Sequence, residues 1–185
     1  MTTFTRYNED NAPQTAKPLL AATKKAFGFV PNLQGYMAES PELLAGYGAL
    51  WDLFGKSTLS AHEQQVVYLT NNFENNCHYC MAGHTTLAQM QKMDPAVIDA
   101  LRDGFELPDP RLEALHQFAK AVVQERGFVG DAAVEQFLAA GFTRQNVLEV
   151  ILGTATKLLS NYTNHIVHTP LDDFMKGNEW TKPTA

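Results

Sequence analysis

Four glycine–phenylalanine pairs, Gly28-Phe29, Gly104-Phe105, Gly127-Phe128 and Gly141-Phe142, each close a run of helix-forming composition. A glycine followed by an apolar residue is the pattern of a left-handed helix stop, with the phenylalanine expected to fold back on the last turn. Start signals match these stops. Ser40-Pro41-Glu42 offers an N-cap, a proline at the first helical position and an early acid, and Ser60-Ala61-His62-Glu63 is a capping box. Asp94-Pro95 and Asp109-Pro110 cap two further helices, Asp131 is a candidate cap, and Thr143 opens a long helix reaching about Ile166. No run of four to eight residues alternates cleanly in Val, Ile and Thr, and no Asn-Gly or Asp-Gly hairpin signal lies between apolar runs. An all-α fold follows, with about eight helices at ordinary helix and loop lengths.

Apolar spacing supports the same elements. Residues 13–27 have helix-forming composition ending at Gly28, and Phe29-Val30-Pro31-Asn32 reads as a turn. Leu43, Leu44, Tyr47, Leu50, Trp51 and Phe54 recur at helical spacing, as do Val66, Leu69 and Phe73 after the capping box. A chain of 185 residues suits one domain able to bury a core without staples. The expected division is a loosely held segment 1–12, an all-helical domain 13–176 and a tail 177–185.

A formal charge of −6, from 14 basic and 20 acidic residues with no Lys/Arg run, gives no surface for phosphate backbones or anionic lipid. No nucleic acid partner and no membrane association are expected. Residues 1–10 lack an apolar leader core, and no stretch approaches the ~18 unbroken apolar residues of a membrane span, so a cytoplasmic protein is expected.

Chemistry concentrates in Glu74-Asn75-Asn76-Cys77-His78-Tyr79-Cys80-Met81-Ala82-Gly83-His84, which holds both cysteines of the chain. Asn75-Asn76 marks a break, after which a new helix runs through Cys80, His84, Leu87 and Gln91. At roughly 100° per residue, Cys77, Cys80 and His84 fall on one helix face. A thiol in the first helical turn sees the positive dipole end, and an imidazole one turn along can take its proton, so Cys80 is expected to be the more reactive. Peroxide would oxidise it to a sulfenic acid that Cys77 can resolve as a disulfide.

The same residues admit zinc, with Cys77, Cys80 and His84 as ligands and His78, Glu74 or His165 as a fourth. Met81 after Cys80 excludes a c-type haem, and the missing βαβ context disfavours a thioredoxin-like site. Glu74 opposes its helix dipole, which either orients a catalytic imidazole or is tolerated at the surface. Glu63 is explained by the capping box, Gln65 reads as a polar surface or interface residue, and His62 and His116 as surface or packing residues. On the last helix, the stripe Val147, Val150, Ile151, Thr154 and Leu158 turns polar at Asn161, His165 and His168, to meet either solvent or a polar site.

With these residues in view, Leu59-Ser60-Ala61-His62-Glu63 and Asn76-Cys77-His78-Tyr79-Cys80-Met81-Ala82-Gly83-His84 resemble the alkylhydroperoxidase D-like branch of the carboxymuconolactone decarboxylase superfamily. Gly28-Phe29-Val30-Pro31-Asn32, Gly141-Phe142-Thr143 and Asn161-Tyr162-Thr163-Asn164-His165 resemble its peroxidase-related members, so the likeness spans about residues 28 to 173. The resemblance implies an all-helical homo-oligomer, commonly a trimer or hexamer, acting as a thiol peroxidase without a cofactor or metal. It also implies that Cys80 forms the sulfenic acid, Cys77 resolves it and His84 relays the proton. The family's relay glutamate falls at Gln65 and its second relay histidine at Tyr79, neither of which can serve as that relay at neutral pH. Glu74 and His78 are then expected to supply those functions. A hydroperoxide substrate and a small-thiol, lipoyl-bearing or thioredoxin-like reductant are the implied partners. A decarboxylase acting on a small cyclic acid, independent of the cysteines, is the superfamily's other activity.

Overall fold

The computed structural model describes residues 3–184, so the extreme ends of the expected N-terminal segment and tail lie outside the described residues. Nine α-helices and no strand occur among the described residues: α1 (Lys17–Phe27), α2 (Asn32–Met37), α3 (Pro41–Gly55), α4 (Ala61–Glu74), α5 (His78–Met90), α6 (Pro95–Asp103), α7 (Pro110–Gln124), α8 (Gly130–Ala139) and α9 (Arg144–Val167), followed by a single 3₁₀ turn at Asp173–Met175. The expected caps at Ser40, Ser60, Asp94, Asp109 and Thr143 are all present, each side chain accepting a backbone N–H of its first turn. Val129, not Asp131, holds the N-cap position of α8. The segment read as a turn runs directly into α2, a six-residue helix too short and too interrupted by Gly35 to show periodicity.

The stops are more varied than the glycine pattern suggests. Asn76, Lys92, Arg126 and His168 are the non-glycine residues with positive φ among those described, at 52°, 57°, 54° and 53°, and each ends a helix. At the end of α4, Asn76 N–H donates to Phe73 O and Cys77 N–H to Asn72 O, the two bonds of a Schellman stop with asparagine in the left-handed position. The expected folding back of phenylalanine holds only for Phe142, which is buried. Phe105 and Phe128 are 67% and 89% exposed, even though Phe105 N–H closes the α6 stop on Ala100 O.

Helix α4 is the centre of the molecule, packed by α7, α5 and α9, with α3 laid across α9. Gly153 lets that last crossing close: a Cβ there would meet Phe54 at 2.7 Å and Val67 at 2.9 Å. The α4–α7–α8 side is apolar, with Phe137 stacked between Phe118 and Phe142 at centroid separations of 4.4 and 4.3 Å. Residues 3–12 lie along α2 through Tyr7 N–H to Gly35 O, and Ala12 is buried. In the tail, Trp180 is buried and its indole N–H donates to Arg102 O. No helix among the described residues is long and apolar enough to cross a membrane.

Helix α9 is turned about a quarter revolution from the stripe read in the sequence. Its buried face carries Asn146, Glu149, Val150, Gly153, Thr154, Lys157, Ser160, Asn161 and Asn164, while Leu148, Ile151, Tyr162, Ile166 and His165 are exposed. A helix with a polar inner face can be packed only where those groups find partners inside.

Candidate functional site

Cys77 belongs to two helices at once. Its N–H closes the α4 stop, its extended backbone (φ −96°, ψ 97°) makes it the N-cap of α5, and Cys80 follows in the first turn. Both thiols are free and buried. An amide from α9 bridges them: Asn164 Nδ2 lies 3.1 Å from Cys80 Sγ and 3.7 Å from Cys77 Sγ, and Ser160 Oγ lies 3.6 Å from Cys80 Sγ. An asparagine ladder fixes the three helices around the pair. Asn75 donates to Asn161, Asn161 donates to Asn72, and Asn72 donates to the carbonyl of Cys80.

His84 is on the same face of α5 and is buried, but its ring nitrogens are both engaged. Lys157 has donors only, so its ammonium, 3.0 Å away, donates to Nε2. Nδ1 therefore carries the hydrogen and donates to Gln65 Oε1 at 2.9 Å. The lone pair expected to accept a thiol proton is thus held by Lys157. Burial, and then the charge of Lys157, depress the imidazole pKa well below its ordinary value, so the ring is neutral.

Lys157 is 1% exposed and pairs with no carboxylate among the described residues. Its ammonium faces His84 and lies 5.4 Å from the centroid of the Tyr68 ring. A buried cation with neutral partners is costly unless a negative charge forms beside it. Cys80 is that charge: burial would raise its pKa, but the Cys77 thiol, the charge of Lys157, Ser160 and Asn161 together hold it well below the ordinary thiol value. Cys77 is driven the opposite way by its hydrogen bond to Cys80 and by burial. The two sulfurs are driven apart, Cys80 towards the thiolate and Cys77 towards the thiol.

Cys80, His84 and Lys157 line a cavity of about 230 Å³ whose other walls are largely apolar, including Phe29, Trp51, Leu87, Met90 and Phe174. Trp51 stacks on Tyr68 at 5.4 Å. Gln34 supplies one of the few polar atoms there; it is 7% exposed and its Oε1 has no hydrogen-bond partner.

Several expected residues are placed elsewhere. Glu74 accepts from Gln124 of α7 at 2.8 Å, because the α4 stop turns its side chain away from α5. His78 is exposed and set edge-on to Trp180 at 5.7 Å, and His165 is exposed on α9. Tyr79 is buried but directed away from the sulfurs; it donates to Asp172 and accepts from Leu33 N–H, tying α5 to α2 and the C-terminal segment. Gln65, read as a surface residue, is 4% exposed and holds His84. No group of three or more His, Cys, Asp or Glu side chains among the described residues is arranged to hold a metal, so Cys77, Cys80 and His84 do not form the zinc set considered above. Lys157, Ser160 and Asn164 were missed in the sequence reading, although with Asn161 their spacing of three, four and seven residues places them on one helix face.

Residues 41–104 match the carboxymuconolactone decarboxylase family. The chain superposes on a peroxidase-related protein with the alkylhydroperoxidase AhpD core from Ralstonia eutropha JMP134, with a TM-score of 0.82 and 22% identity over 98% of this chain and 100% of that one. A peroxidase-related protein from Silicibacter sp. TM1040 gives 0.78 and 20% over 96% and 98%. A cysteine-to-alanine form of the debrominase Bmp8, in complex with 2,3,4-tribromopyrrole, gives 0.79 and 15% over 96% of each chain. At these identities the structural likeness is one of fold. No curated protein sequence matches the chain.

Proposed function

We propose that this chain, alkylhydroperoxidase D-like in fold and carrying a carboxymuconolactone decarboxylase family segment at residues 41–104, is a thiol-dependent peroxidase for apolar hydroperoxides. The observation that carries this reading is Cys80 beside a buried, otherwise unpaired Lys157 at the wall of an apolar cavity. The Cys80 thiolate attacks the outer oxygen of the hydroperoxide, the O–O bond breaks, and the alkoxide leaves as alcohol after taking a proton. Lys157 is the cation that faces the developing alkoxide. His84, fixed by Gln65, positions Lys157; this replaces the proton relay expected of the imidazole. The Cys77 thiol then displaces the hydroxyl of the Cys80 sulfenic acid as water, leaving a disulfide that an external reductant returns to the starting pair. Gln34 Oε1 is available to accept the O–H of the bound hydroperoxide.

The aromatic walls and the fold shared with a debrominase favour one second reading, thiol-dependent reductive dehalogenation of a small aromatic, with Gln34 accepting a ring N–H. The outward apolar residues of α9, Leu148, Ile151, Tyr162 and Ile166, support a homo-oligomer. Reduced protein is treated with one equivalent of cumene hydroperoxide, then analysed by intact mass and peptide mapping. Loss of two hydrogens with a Cys77–Cys80 disulfide is expected. Unchanged mass, together with bromide release from a bromopyrrole, would replace the peroxidase reading with the second.

A further inference from the structure

The two thiols line different cavities. Cys80 lines the apolar cavity and Cys77 does not. Cys77 instead lines a second cavity of about 460 Å³, walled by Asn76 and His78 of the α4–α5 junction and by Asn164, His165, His168 and Thr169 at the end of α9. Tyr79 is the residue common to both cavities, so it stands in the partition between them. The first cavity is lined mainly by aromatic and aliphatic side chains, the second by amides, imidazoles and a hydroxyl.

The second cavity also holds polar atoms that lack partners. Asn164 is 6% exposed; its amide nitrogen serves the sulfurs, but its Oδ1 has no hydrogen-bond partner, and neither has Thr169 Oγ1. The amides, imidazoles and hydroxyl of this lining suit a polar occupant. The oxidant of the proposed reaction enters on the apolar side, where Gln34, His84 and Lys157 are the few polar groups in a largely aromatic and aliphatic lining.

We propose that a small hydrophilic thiol enters this second cavity and reduces the Cys77–Cys80 disulfide by attacking Cys77, so that oxidant and reductant reach the pair from opposite sides. The proposal rests on the disulfide cycle given above. The incoming thiolate forms a bond to Cys77 Sγ, the Cys77–Cys80 bond breaks, and its electron pair leaves on Cys80. There Lys157, Ser160 and Asn164 receive it, and the sulfur whose thiolate is better held is the better leaving group. A second thiol attacks the outer sulfur of the mixed disulfide, releasing the small disulfide and returning Cys77 as a thiol. Two thiols supply two electrons and two protons; one proton stays on Cys77 and one passes to solvent, since Cys80 remains a thiolate. Cys77 is only 1% exposed, so a sulfur on a broad protein surface cannot reach bonding distance, whereas a thiol on a narrow molecule can.

The test forms the disulfide with diamide and follows its reduction by glutathione in rapid-quench mass spectrometry, so the reduction is read independently of any peroxidase activity. His165→Trp fills the polar cavity and Leu87→Trp fills the apolar one; both residues are outside the tightly packed core. His165→Trp is expected to slow glutathione reduction by about tenfold and Leu87→Trp to leave it within about twofold, because exchange rates depend on access. Acid-quenched wild-type intermediates should carry glutathione on Cys77. Glutathione mapped to Cys80, or reduction slowed by Leu87→Trp and not by His165→Trp, would overturn the proposal. A hydroperoxide that fails to oxidise the reduced protein would instead overturn the peroxidase reading, and the diamide experiment would still decide the route of reduction.

Discussion

The two sides of helix α4 are built from opposite materials. Towards α7 and α8 it meets a mainly apolar core of Leu115, Phe118, Phe137 and Phe142, with one buried polar pair, Thr70 and His116, at 2.8 Å. Towards α5 and α9 it presents Gln65, Asn71 and Asn72 to His84, Thr154, Asn161 and the carbonyl of Cys80. The first side is held by area removed from water and close packing, which tolerates only volume-conserving change. The second is held by hydrogen bonds whose net worth is small and whose loss is expensive, so it is specific more than stabilising. Chemistry sits on the side that contributes less to stability.

Variants that separate the two sides test this contrast. Cys80→Ser should abolish hydroperoxide-dependent oxidation of the protein, measured as substrate consumption, and lower the urea midpoint at neutral pH, because it leaves the buried Lys157 ammonium without its negative partner. Phe137→Ala removes the middle ring of the aromatic stack and should cost about 3–5 kcal/mol in urea unfolding, with the alkylation rate of Cys80 unchanged in the folded fraction. Lys157→Met should slow iodoacetamide alkylation of Cys80 at neutral pH by about tenfold, because removing the cation raises the thiol pKa. The same substitution should leave stability equal or higher, since it replaces a buried cation by an apolar chain of similar length and lets Cys80 stay a neutral thiol. A large loss of stability in Lys157→Met would show that the polar seam carries the fold after all.

Acid gives a smaller effect with a defined sign. His84 and His116 are buried with pKa values pushed below the ordinary value, first by burial, so the native state binds fewer protons than the unfolded one. Their contribution is complete above the unfolded value of about 6.5 and is lost as pH falls below it, by up to about 1.4 kcal/mol per pH unit for each ring. Urea titrations between about pH 7 and 5 should show this decline, and His116→Gln should remove part of it. The smallest effect is expected from Glu74→Gln, which should keep the wild-type oxidation rate because the carboxylate faces Gln124. A marked loss would restore Glu74 to the site.

Local rules were legible in the sequence and tertiary electrostatics were not. The Ser60–Glu63 capping box and the Thr143 cap were read correctly because each is settled within four residues. Cys77, Cys80 and His84 were placed on one face for the same reason. Lys157 was invisible because a lone lysine in a helix reads as an exposed residue; its burial depends on partners from α4 and α5. Gln65 reads as a surface or interface residue because a polar residue on an amphipathic helix usually is, and only the neighbouring α5 makes it internal. Helix α9 misled most, because apolar residues facing outward and polar ones facing inward invert the rule by which a core face is chosen.

The stacking of Trp51 on Tyr68 has an optical consequence. The chain has two tryptophans, one lining the cavity beside Cys80 and the other, Trp180, buried in the tail with its indole bonded to Arg102. Light emitted by Trp51 should therefore change in intensity when the cavity fills or the neighbouring sulfur is oxidised, while Trp180 supplies a constant background. The molecule carries its own gauge of occupancy, and a Trp180→Phe variant would read it without interference.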